Sequence, residues 1–498
     1  MDMTIFKPRP WLNVIQEIIM AGLYAVVTSR TDGRALTASR RLAEDMCLLP
    51  WQKADVPSPH SANVMLGSIT NRKPNDHPEA FVYRDENVSC VLEGYLVRSM
   101  TDGGINALID AGRFAEAAAL AYLIHGASFA EFLEGPFTVA IHDNPGRRLV
   151  VANGRFASSH LYLSRCDEGF VACTMLGPMG ACGMFRPNFN EEALGHVLIY
   201  GIVLGRDTLL DGVEAIEPGT IGVVELDAMN LSLRRYWSFG DMGGHKRGQS
   251  LKQHAAEVGD TLVAAAKRVT RRPGRYVSGL SGGLDSRLVT ALATRCDPDM
   301  KIWTYGTPDS ADMTTASRIS AHLGRDHLRF LSDPERTPRH AAMYSTTVDG
   351  CVTAEFAFRL ERTNELMDSA DIVLNGFAGD AILGGSMLGP RLRILVDNIK
   401  QRNLRGRDVV SPFLSANTHP TTIAGYVASK YDYPSQLHRV LTHKPETMSA
   451  RVLRDVRAMD GDVPMELRAE QWIFDNRVTR WTLMGVLSDR HYYSDGSL

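Results

Sequence analysis

The chain has 498 residues, of which 44% are hydrophobic, and its 54 lysines and arginines nearly balance its 57 aspartates and glutamates. This hydrophobic content excludes a mostly disordered chain, and the length predicts two to four domains of about 100–200 residues each. A net charge of -3 argues against a general nucleic-acid binder. Because the sequence has no run of about 18 apolar residues, we expect no membrane-spanning helix.

Short alternating apolar runs, separated by turn residues, fill residues 18–240 and predict half-buried antiparallel strands. The predicted strands are Gly22–Thr28, Cys90–Val97, Phe137–His142, Arg148–Ala152 and Thr220–Leu226. Apolar residues at helical spacing predict helices at Phe114–Leu123 and Glu191–Tyr200. This half therefore has an α+β pattern, in which helices cover the sheets.

A polar, glycine-rich stretch, Gly240–Gly248, is the predicted linker, and strands then alternate with helices. The predicted elements are helix Leu251–Val269, strand Arg275–Leu280, helix Asp285–Arg295, strand Lys301–Gly306, helix Asp312–Leu323, strand His327–Leu331 and strand Asp371–Asn375. Such alternation predicts a doubly wound parallel sheet with its site at the carboxyl ends of the strands. From about residue 390 the pattern is mainly helical.

The seven cysteines are widely scattered and form no Cys-x-x-Cys pair, which fits a reducing compartment and argues against a zinc ribbon. The apolar stretch near the start is interrupted by Gln16 and Glu17, so it does not read as a signal peptide. We therefore expect a cytoplasmic protein.

The strongest motif is the hexapeptide Ser-Gly-Gly-Leu-Asp-Ser at 281–286, which follows an apolar strand and opens a helix. Glycines let the backbone approach a phosphate, and the free N–H groups of a helix start bind the anion. Asp285 would repel that phosphate without a cation between them, which predicts Mg²⁺. An ordinary glycine-rich turn is the alternative interpretation.

A second glycine-containing turn, Gly376–Asp380, follows the strand Asp371–Asn375. Parallel strands end at the same edge of a sheet, so Asp285 and Asp380 are predicted to hold Mg²⁺ between them. The alternative is that Asp380 only caps a helix.

The first loop resembles the SGGxDS loop of the ATP pyrophosphatases, and the two loops together resemble the class B, glutamine-hydrolysing asparagine synthetase family. Leu133–Ala140 and Val151–Phe156 resemble strands of that family's glutaminase domain, and Pro218–Gly219 and Arg235–Trp237 resemble the segment that closes that domain. The resemblance implies a glutaminase-like α+β sandwich of the N-terminal-nucleophile hydrolase type at 1–240, a linker at 241–250 and a doubly wound ATP pyrophosphatase domain with a helical C-terminal part at 251–498.

The resemblance also implies ATP and Mg²⁺ as cofactors and assigns their sites. The residues that would bind ATP are Leu280, Ser281, Gly282, Gly283, Asp285, Ser286, Thr304 and Gly376, and Asp285 and Asp380 would bind the metal. The expected partners are a small-molecule or peptide carboxylate and an amine, with a homodimer as the expected assembly and neither nucleic acid nor membrane.

Two departures from the family concern catalytic residues. The family's glutaminase uses an N-terminal cysteine, whereas Asp2 follows Met1 here, so we expect glutamine hydrolysis to be lost, as in the β-lactam synthetase and lasso-peptide cyclase branches. The position held by Glu or Tyr in the family is Phe377, which has no titratable group. The catalytic residue is therefore unassigned, and the candidates are Glu355, Tyr305 and His327.

A third departure concerns the end of the chain. Ser488–Asp495 resembles a late family motif, yet no lysine follows Lys444 and the sequence stops at Leu498. Such a lysine would stabilise the charge that develops on phosphate. Three explanations stay open, namely a C-terminally truncated chain, a substitute arginine or an inactive protein.

The sequence thus predicts an AMP-forming amide synthetase that makes asparagine or a natural-product amide. The competing hypothesis is a catalytically impaired family member that serves as a scaffold or partner, which Phe377 favours and the intact hexapeptide opposes. An RNA-modifying enzyme with the same loop would require a basic surface and catalytic cysteines, and neither pattern is evident.

Overall fold

A computed structural model describes most of the first 377 residues and several shorter stretches beyond them. The described residues are 22–47, 52–55, 63–71, 80–242, 249–271, 274–333, 335, 337–377, 379, 451, 454–455, 458–459, 465–483 and 494–497.

The first half of the described chain is rich in strands. These are β1 Gly22–Thr28, β2 Gln52–Asp55, β3 Val64–Asn71, β4 Val82–Arg84, β5 Val88–Gly94, β6 Arg98–Ser99, β7 Leu133–Glu134, β8 Phe137–Asp143, β9 Arg148–Asn153, β10 Tyr162–Cys166, β11 Gly169–Cys173, β12 Val213–Ala215, β13 Thr220–Glu225 and β14 Asn230–Arg235. Its helices are α1 Arg34–Met46, α2 Gly103–Asp110, α3 Phe114–His125, α4 Leu176–Ala181 and α5 Glu191–Tyr200, with 3-10 turns at Gly126–Phe132 and Phe239–Met242.

The second half alternates strands and helices. Its strands are β15 Tyr276–Gly279, β16 Lys301–Gly306, β17 His327–Leu331, β18 Ile372–Asn375 and β19 Ser494–Ser497. Its helices are α6 Leu251–Val269, α7 Leu284–Cys296, α8 Ala311–Leu323, α9 Thr337–Thr347, α10 Thr363–Ser369 and α11 Met465–Ile473, with a 3-10 stretch at Ala354–Arg362 and a π-helix at Phe474–Leu483.

The first half folds into two antiparallel sheets that pack face to face. Their strand orders are β12-β10-β11-β1-β3-β2 and β14-β13-β9-β8-β5-β4. Alternate side chains of β1 point to opposite faces, so Leu23 and Ala25 enter the core between the sheets while Tyr24 and Val26 pack beneath α1. Helices α2 and α3 cover the outer face of the second sheet. The predicted helix-covered α+β sandwich is confirmed.

The second half forms a five-stranded sheet of order β17-β16-β15-β18-β19, in which every pairing is parallel. Tyr276 and Ile372 pack toward α6 and α7, whereas Val277 and Val373 on the opposite face join the core that contains α9 and the 354–362 turn. Helices therefore cover both faces, and the predicted doubly wound sheet is confirmed. Among the described residues, no helix is long and apolar enough to span a membrane.

The two halves share an apolar core that includes Tyr24 and Val203 of the first half and Tyr344 and Val348 of the second. They also contact each other through polar and aromatic side chains. Both guanidinium Nη atoms of Arg235 donate to the Asp475 carboxylate at 2.8 Å, and the backbone N of Gly205 donates to Asn476 Oδ1 at 2.6 Å. The rings of Phe156 and Phe474 stand edge to face, 5.5 Å apart. The π-helix is thus one of the elements that join the sandwich to the parallel-sheet unit.

His196 on α5 is fully buried, and its surroundings make stability depend on pH. Burial, followed by the nearby Arg451 charge, lowers the pKa of His196 from 6.5 to about 4. As the pH falls, His196 is protonated in the unfolded chain before it is protonated in the folded chain. The contribution of neutral His196 to the free energy of unfolding is therefore complete above pH 6.5 and is lost as the pH falls toward 4. We expect wild type to lose about 3 kcal/mol relative to His196→Gln across that window. Urea unfolding of both proteins at pH 7.5 and pH 4.5 measures this difference, and parallel pH profiles would refute it.

Candidate active site

The sheet order places a crevice at the carboxyl ends of two central strands. Strand β15 pairs with β16 on one side and with β18 on the other. The chain therefore adds β16 and β17 on one side of β15 and then returns to add β18 on its other side. Open doubly wound sheets bind ligands at such a switch point. The loop Leu280–Gly283 leaves β15 at this position, and Gly376 follows β18.

The loop after β15 is folded tightly by its own two serines. The Oγ atoms of Ser281 and Ser286 lie 2.9 Å apart, and the Ser281 backbone N donates to Ser286 Oγ at 3.1 Å. Gly283, the N-cap of α7, offers no side chain to the amides of the first turn. The N-cap residue therefore leaves these amides uncapped. Together with the helix dipole, they make the start of α7 able to bind an anion.

Asp312, in the first turn of α8, reaches across to this loop. Its Oδ1 accepts a hydrogen bond from the backbone N of Gly282 at 2.8 Å. No sequence pattern marks Asp312 as part of a site, because an acidic residue in the first turn of a helix has an ordinary stabilising role. The structure therefore places two carboxylates, Asp285 and Asp312, at the loop.

The segment after β18 lies against the start of α7. A Cβ atom built on Gly376 would be 2.6 Å from the backbone N of Ser286, and one on Gly379 would be 2.9 Å from Asp285 Cγ. Only glycine allows this approach, which brings the 376–379 turn to the Asp285 carboxylate. Asp380, the other predicted metal ligand, lies outside the described residues. Within the described part of the chain, no cluster of three or more His, Cys, Asp or Glu side chains is arranged to hold a metal.

A cavity of about 360 Å³ opens where these segments meet. Of the residues predicted to bind ATP, seven line it, namely Leu280, Ser281, Gly283, Asp285, Ser286, Thr304 and Gly376. Gly282 faces Asp312 instead. Aromatic side chains, Trp303, Phe330 and Phe358, complete the wall. The cavity thus combines an anion-binding loop with flat apolar faces.

Phe377 lines the cavity and also packs against Phe474 and Val478 of the π-helix. Its backbone N donates to Asn375 Oδ1 at 3.0 Å. Phe377 therefore contacts both the cavity and the π-helix that packs against the first half.

His327 lies behind the cavity wall. Thr304 Oγ1 donates its one proton to the carbonyl oxygen of Leu280 at 2.7 Å, so His327 Nε2, 2.9 Å from Thr304 Oγ1, must be the donor in that contact. Burial lowers the pKa of His327, and Arg329 adds to this shift. The histidine therefore holds Thr304 in place. The side chain of Glu355, another predicted candidate, lies outside the described residues.

Tyr305 lines the cavity and is paired with a buried carboxylate. Its hydroxyl donates to Glu361 Oε2 at 3.0 Å, and the Asp333 backbone N donates to the same oxygen at 3.1 Å. Glu361 is 5% exposed. Glu361 was not predicted as a site residue, because no motif links it to the loops and the fold of the 354–362 turn brings it to Tyr305.

Two family models match the chain in consecutive regions. The model described as a glutamine amidotransferase domain matches residues 115–237, and the model described as asparagine synthase matches residues 257–484. The chain is 23% identical to the glutamine-hydrolyzing asparagine synthetase of Gallus gallus over 225 residues, which cover 41% of this chain and 36% of the relative. A Mycobacterium tuberculosis (H37Rv) protein assigned to the same activity is 24% identical over 195 residues, covering 38% and 30% respectively. The chain thus spans about a third of the length of these relatives.

Solved structures give weaker likenesses. A glutamine phosphoribosylpyrophosphate amidotransferase from B. subtilis has a TM-score of 0.28 at 9% identity, covering 62% of this chain and 90% of its own. A glutamine-dependent NAD+ synthetase from Acinetobacter baumannii has a TM-score of 0.22 at 14% identity, covering 53% and 58%. Both TM-scores are too low to indicate what this chain binds.

Proposed function

The chain belongs to the asparagine synthetase family, and we propose that it is an ATP-dependent amide synthetase that forms AMP. In the proposed reaction a substrate carboxylate attacks the α-phosphorus of ATP, and the bond to pyrophosphate breaks. An amine then attacks the carbonyl carbon of the acyl-adenylate, loses a proton and displaces AMP. The observation that carries the proposal is the Ser281–Ser286 loop, which presents the start of α7 at the switch point of a parallel sheet.

The loop would hold the pyrophosphate part of ATP. The backbone amides of Gly282 and Gly283, the hydroxyls of Ser281 and Ser286 and the dipole of α7 are the donors for its oxygens. Gly282 N must exchange the Asp312 carboxylate for phosphate when the nucleotide binds. Leu280, Thr304 and Gly376 would face the ribose and adenine, beside the aromatic wall of the cavity.

The oxygen donors at the loop fit Mg²⁺, which prefers carboxylate and phosphate ligands. Asp285 would hold it together with Asp380, and the position of Asp312 on Gly282 N makes Asp312 a further candidate. Bound there, Mg²⁺ would neutralise the phosphate charge during the transfer. The protein's own part is to keep the Asp285 carboxylate beside the 376–379 turn, where a Cβ atom on Gly376 or Gly379 would collide with the start of α7.

The acid and the amine are proposed to be small-molecule or peptide substrates, so that the product is asparagine or a natural-product amide. The reaction uses no disulfide chemistry, and the seven free cysteines fit the cytoplasmic location that we propose.

We propose that Tyr305 and Glu361 accept the proton from the attacking amine. The Tyr305 hydroxyl already donates to Glu361, so it can pass its proton to that carboxylate while accepting one from the amine. This pair supplies the titratable group that Phe377 lacks.

Replacing Tyr305 with phenylalanine tests that assignment. We expect Tyr305→Phe to lower amide formation about 100-fold, since general-base catalysis contributes about 10²–10⁴-fold, while pyrophosphate release in the first step changes little. Tyr83→Phe is the matched control, because the Tyr83 hydroxyl also donates to a carboxylate, that of Asp85, in the other half of the chain. Equal losses in both half-reactions would instead assign Tyr305 to nucleotide binding.

Product analysis tests the proposed function itself. The chain is incubated with Mg·ATP and pools of amino acids, peptides and amines, and nucleotides are separated by chromatography. We expect AMP and pyrophosphate to accumulate only with an active pool. Formation of ADP and phosphate would contradict the proposal.

A further inference from the structure

A second cleft lies between the two halves of the chain, away from the Ser281–Ser286 loop. Its volume is about 430 Å³. One wall comes from the sandwich, with Ile216, Glu217 and Arg235, and the other from the C-terminal helical residues, with Trp472 and Arg480. The cleft is of the size that small-molecule sites have.

Most charged side chains in this cleft are already paired. Arg235 forms its two-bond contact with Asp475, and Arg451 donates to Asp207 at 2.7 Å and to Asp455 at 3.1 Å. In each contact, an aspartate carboxylate compensates the charge of an arginine.

Arg480 differs from them. Its side chain is 4% exposed, and its Nη2 donates to the backbone oxygen of Asp207 at 2.7 Å. Its Nε and Nη1 atoms have no hydrogen-bond partner among the described residues. Nor does any described carboxylate form an ion pair with it. A buried guanidinium without an anion is costly, so the cleft favours a ligand that carries a negative group.

Glu217, on the opposite wall, has only a long ion pair among the described residues. Its ion pair among the described residues is with Arg235, whose Nη1 is 3.7 Å from Glu217 Oε1 and whose two Nη atoms also donate to Asp475 at 2.8 Å. The Glu217 side chain is 43% exposed, so water reaches it, while partial desolvation raises its pKa and Arg235 opposes that shift. A positive group on a ligand would compensate this carboxylate.

We propose that the cleft binds a small zwitterion of the α-amino acid class. Its carboxylate would accept hydrogen bonds from Arg480 and its ammonium group would donate to Glu217, while Ile216 and Trp472 cover its apolar part. A zwitterion satisfies both residues without changing the net charge of the cleft. Because the two walls belong to different halves, this ligand bridges them. The proposal is independent of ATP chemistry.

Calorimetric titration without nucleotide tests the site. The probes are L-leucine, L-glutamine and L-aspartate, together with 3-methylbutylamine and 4-methylpentanoate, which each lack one charge of leucine. We expect at least one amino acid to bind with a Kd below about 1 mM, and loss of either ligand charge to weaken binding at least about 10-fold, since one lost charged contact is worth this much. Binding of the amine or the acid alone at equal strength would overturn the zwitterion assignment.

Variants locate the bound amino acid. Arg480→Met and Glu217→Gln should each weaken binding at least about 10-fold. Arg148→Met is the matched control, because Arg148 pairs with Glu225 on the exposed surface. If Arg480→Met does not fold, Glu217→Gln alone decides the question. The proposal would be overturned if no amino acid binds at concentrations up to about 10 mM, or if binding survives both substitutions. Neither result would affect the proposed amide synthetase.

Discussion

Replacing Asp285 with asparagine is expected to lower the rate of AMP formation at least about 100-fold, because a lost electrostatic partner of the reacting phosphate costs this much or more. Asparagine keeps the size of the side chain, so the close contacts of Asp285 with the 376–379 turn are preserved. What changes is the negative charge beside the phosphate loop, and with it the proposed hold on Mg²⁺. The measurement is AMP release at saturating ATP over a range of Mg²⁺ concentrations.

The control for this prediction is Asp299→Asn. Asp299 is an exposed carboxylate in the same half of the chain, in the turn after α7, and it does not line the cavity. Its substitution should leave the rate within about twofold, as is usual for surface changes away from a site. An Asp285→Asn variant as fast as this control would exclude Asp285 from the reaction.

Replacing Asp475 with alanine is expected to lower the free energy of unfolding by about 3 kcal/mol. The Asp475 side chain is 9% exposed and accepts both bonds of the Arg235 guanidinium across the contact between the two halves. Its removal leaves a largely buried arginine without its main partner, which costs more than the pair contributes when intact. Urea unfolding followed by tryptophan fluorescence measures the change, since Trp237 and Trp472 lie close to this contact.

A surface ion pair provides the comparison for this change. Asp227 pairs with Arg147 at 2.6 Å, and the two side chains are 71% and 57% exposed. Asp227→Ala should therefore cost less than about 1 kcal/mol. Equal costs for Asp475→Ala and Asp227→Ala would show that the contact between the halves does not depend on the Arg235–Asp475 pair.

Apolar periodicity predicted nine of the nineteen described strands and five of the eleven described helices. The predicted boundaries of helix Leu251–Val269 and of strands Lys301–Gly306 and His327–Leu331 are confirmed, and the other predicted strands shift by at most a few residues. The prediction failed for β19, since Ser-Asp-Gly-Ser at 494–497 has no apolar alternation. Its strand conformation comes from backbone pairing with β18, a long-range partner that local pattern does not reveal.

A local motif was enough to predict the phosphate loop. The contacts between residues distant in sequence could be identified only from the folded structure. The Ser281–Ser286 hexapeptide carries its own glycines, hydroxyls and helix start, so its chemistry is contained in consecutive residues. The contacts of Gly282 with Asp312 and of Tyr305 with Glu361 join residues that are 30 and 56 positions apart. Such contacts arise from how α8 and the 354–362 turn pack on the sheet, and no short pattern encodes them.

The most direct test of the proposed synthetase is the exchange of labelled pyrophosphate into ATP, because exchange that depends on a carboxylate requires reversible formation of an acyl-adenylate. With an active carboxylate pool, Mg²⁺ and no amine, we expect label to appear in ATP for wild type and Tyr305→Phe and to be lost for Asp285→Asn. Absence of exchange with every carboxylate pool, together with no detectable ATP binding, would contradict the account and favour a family member that serves as a scaffold.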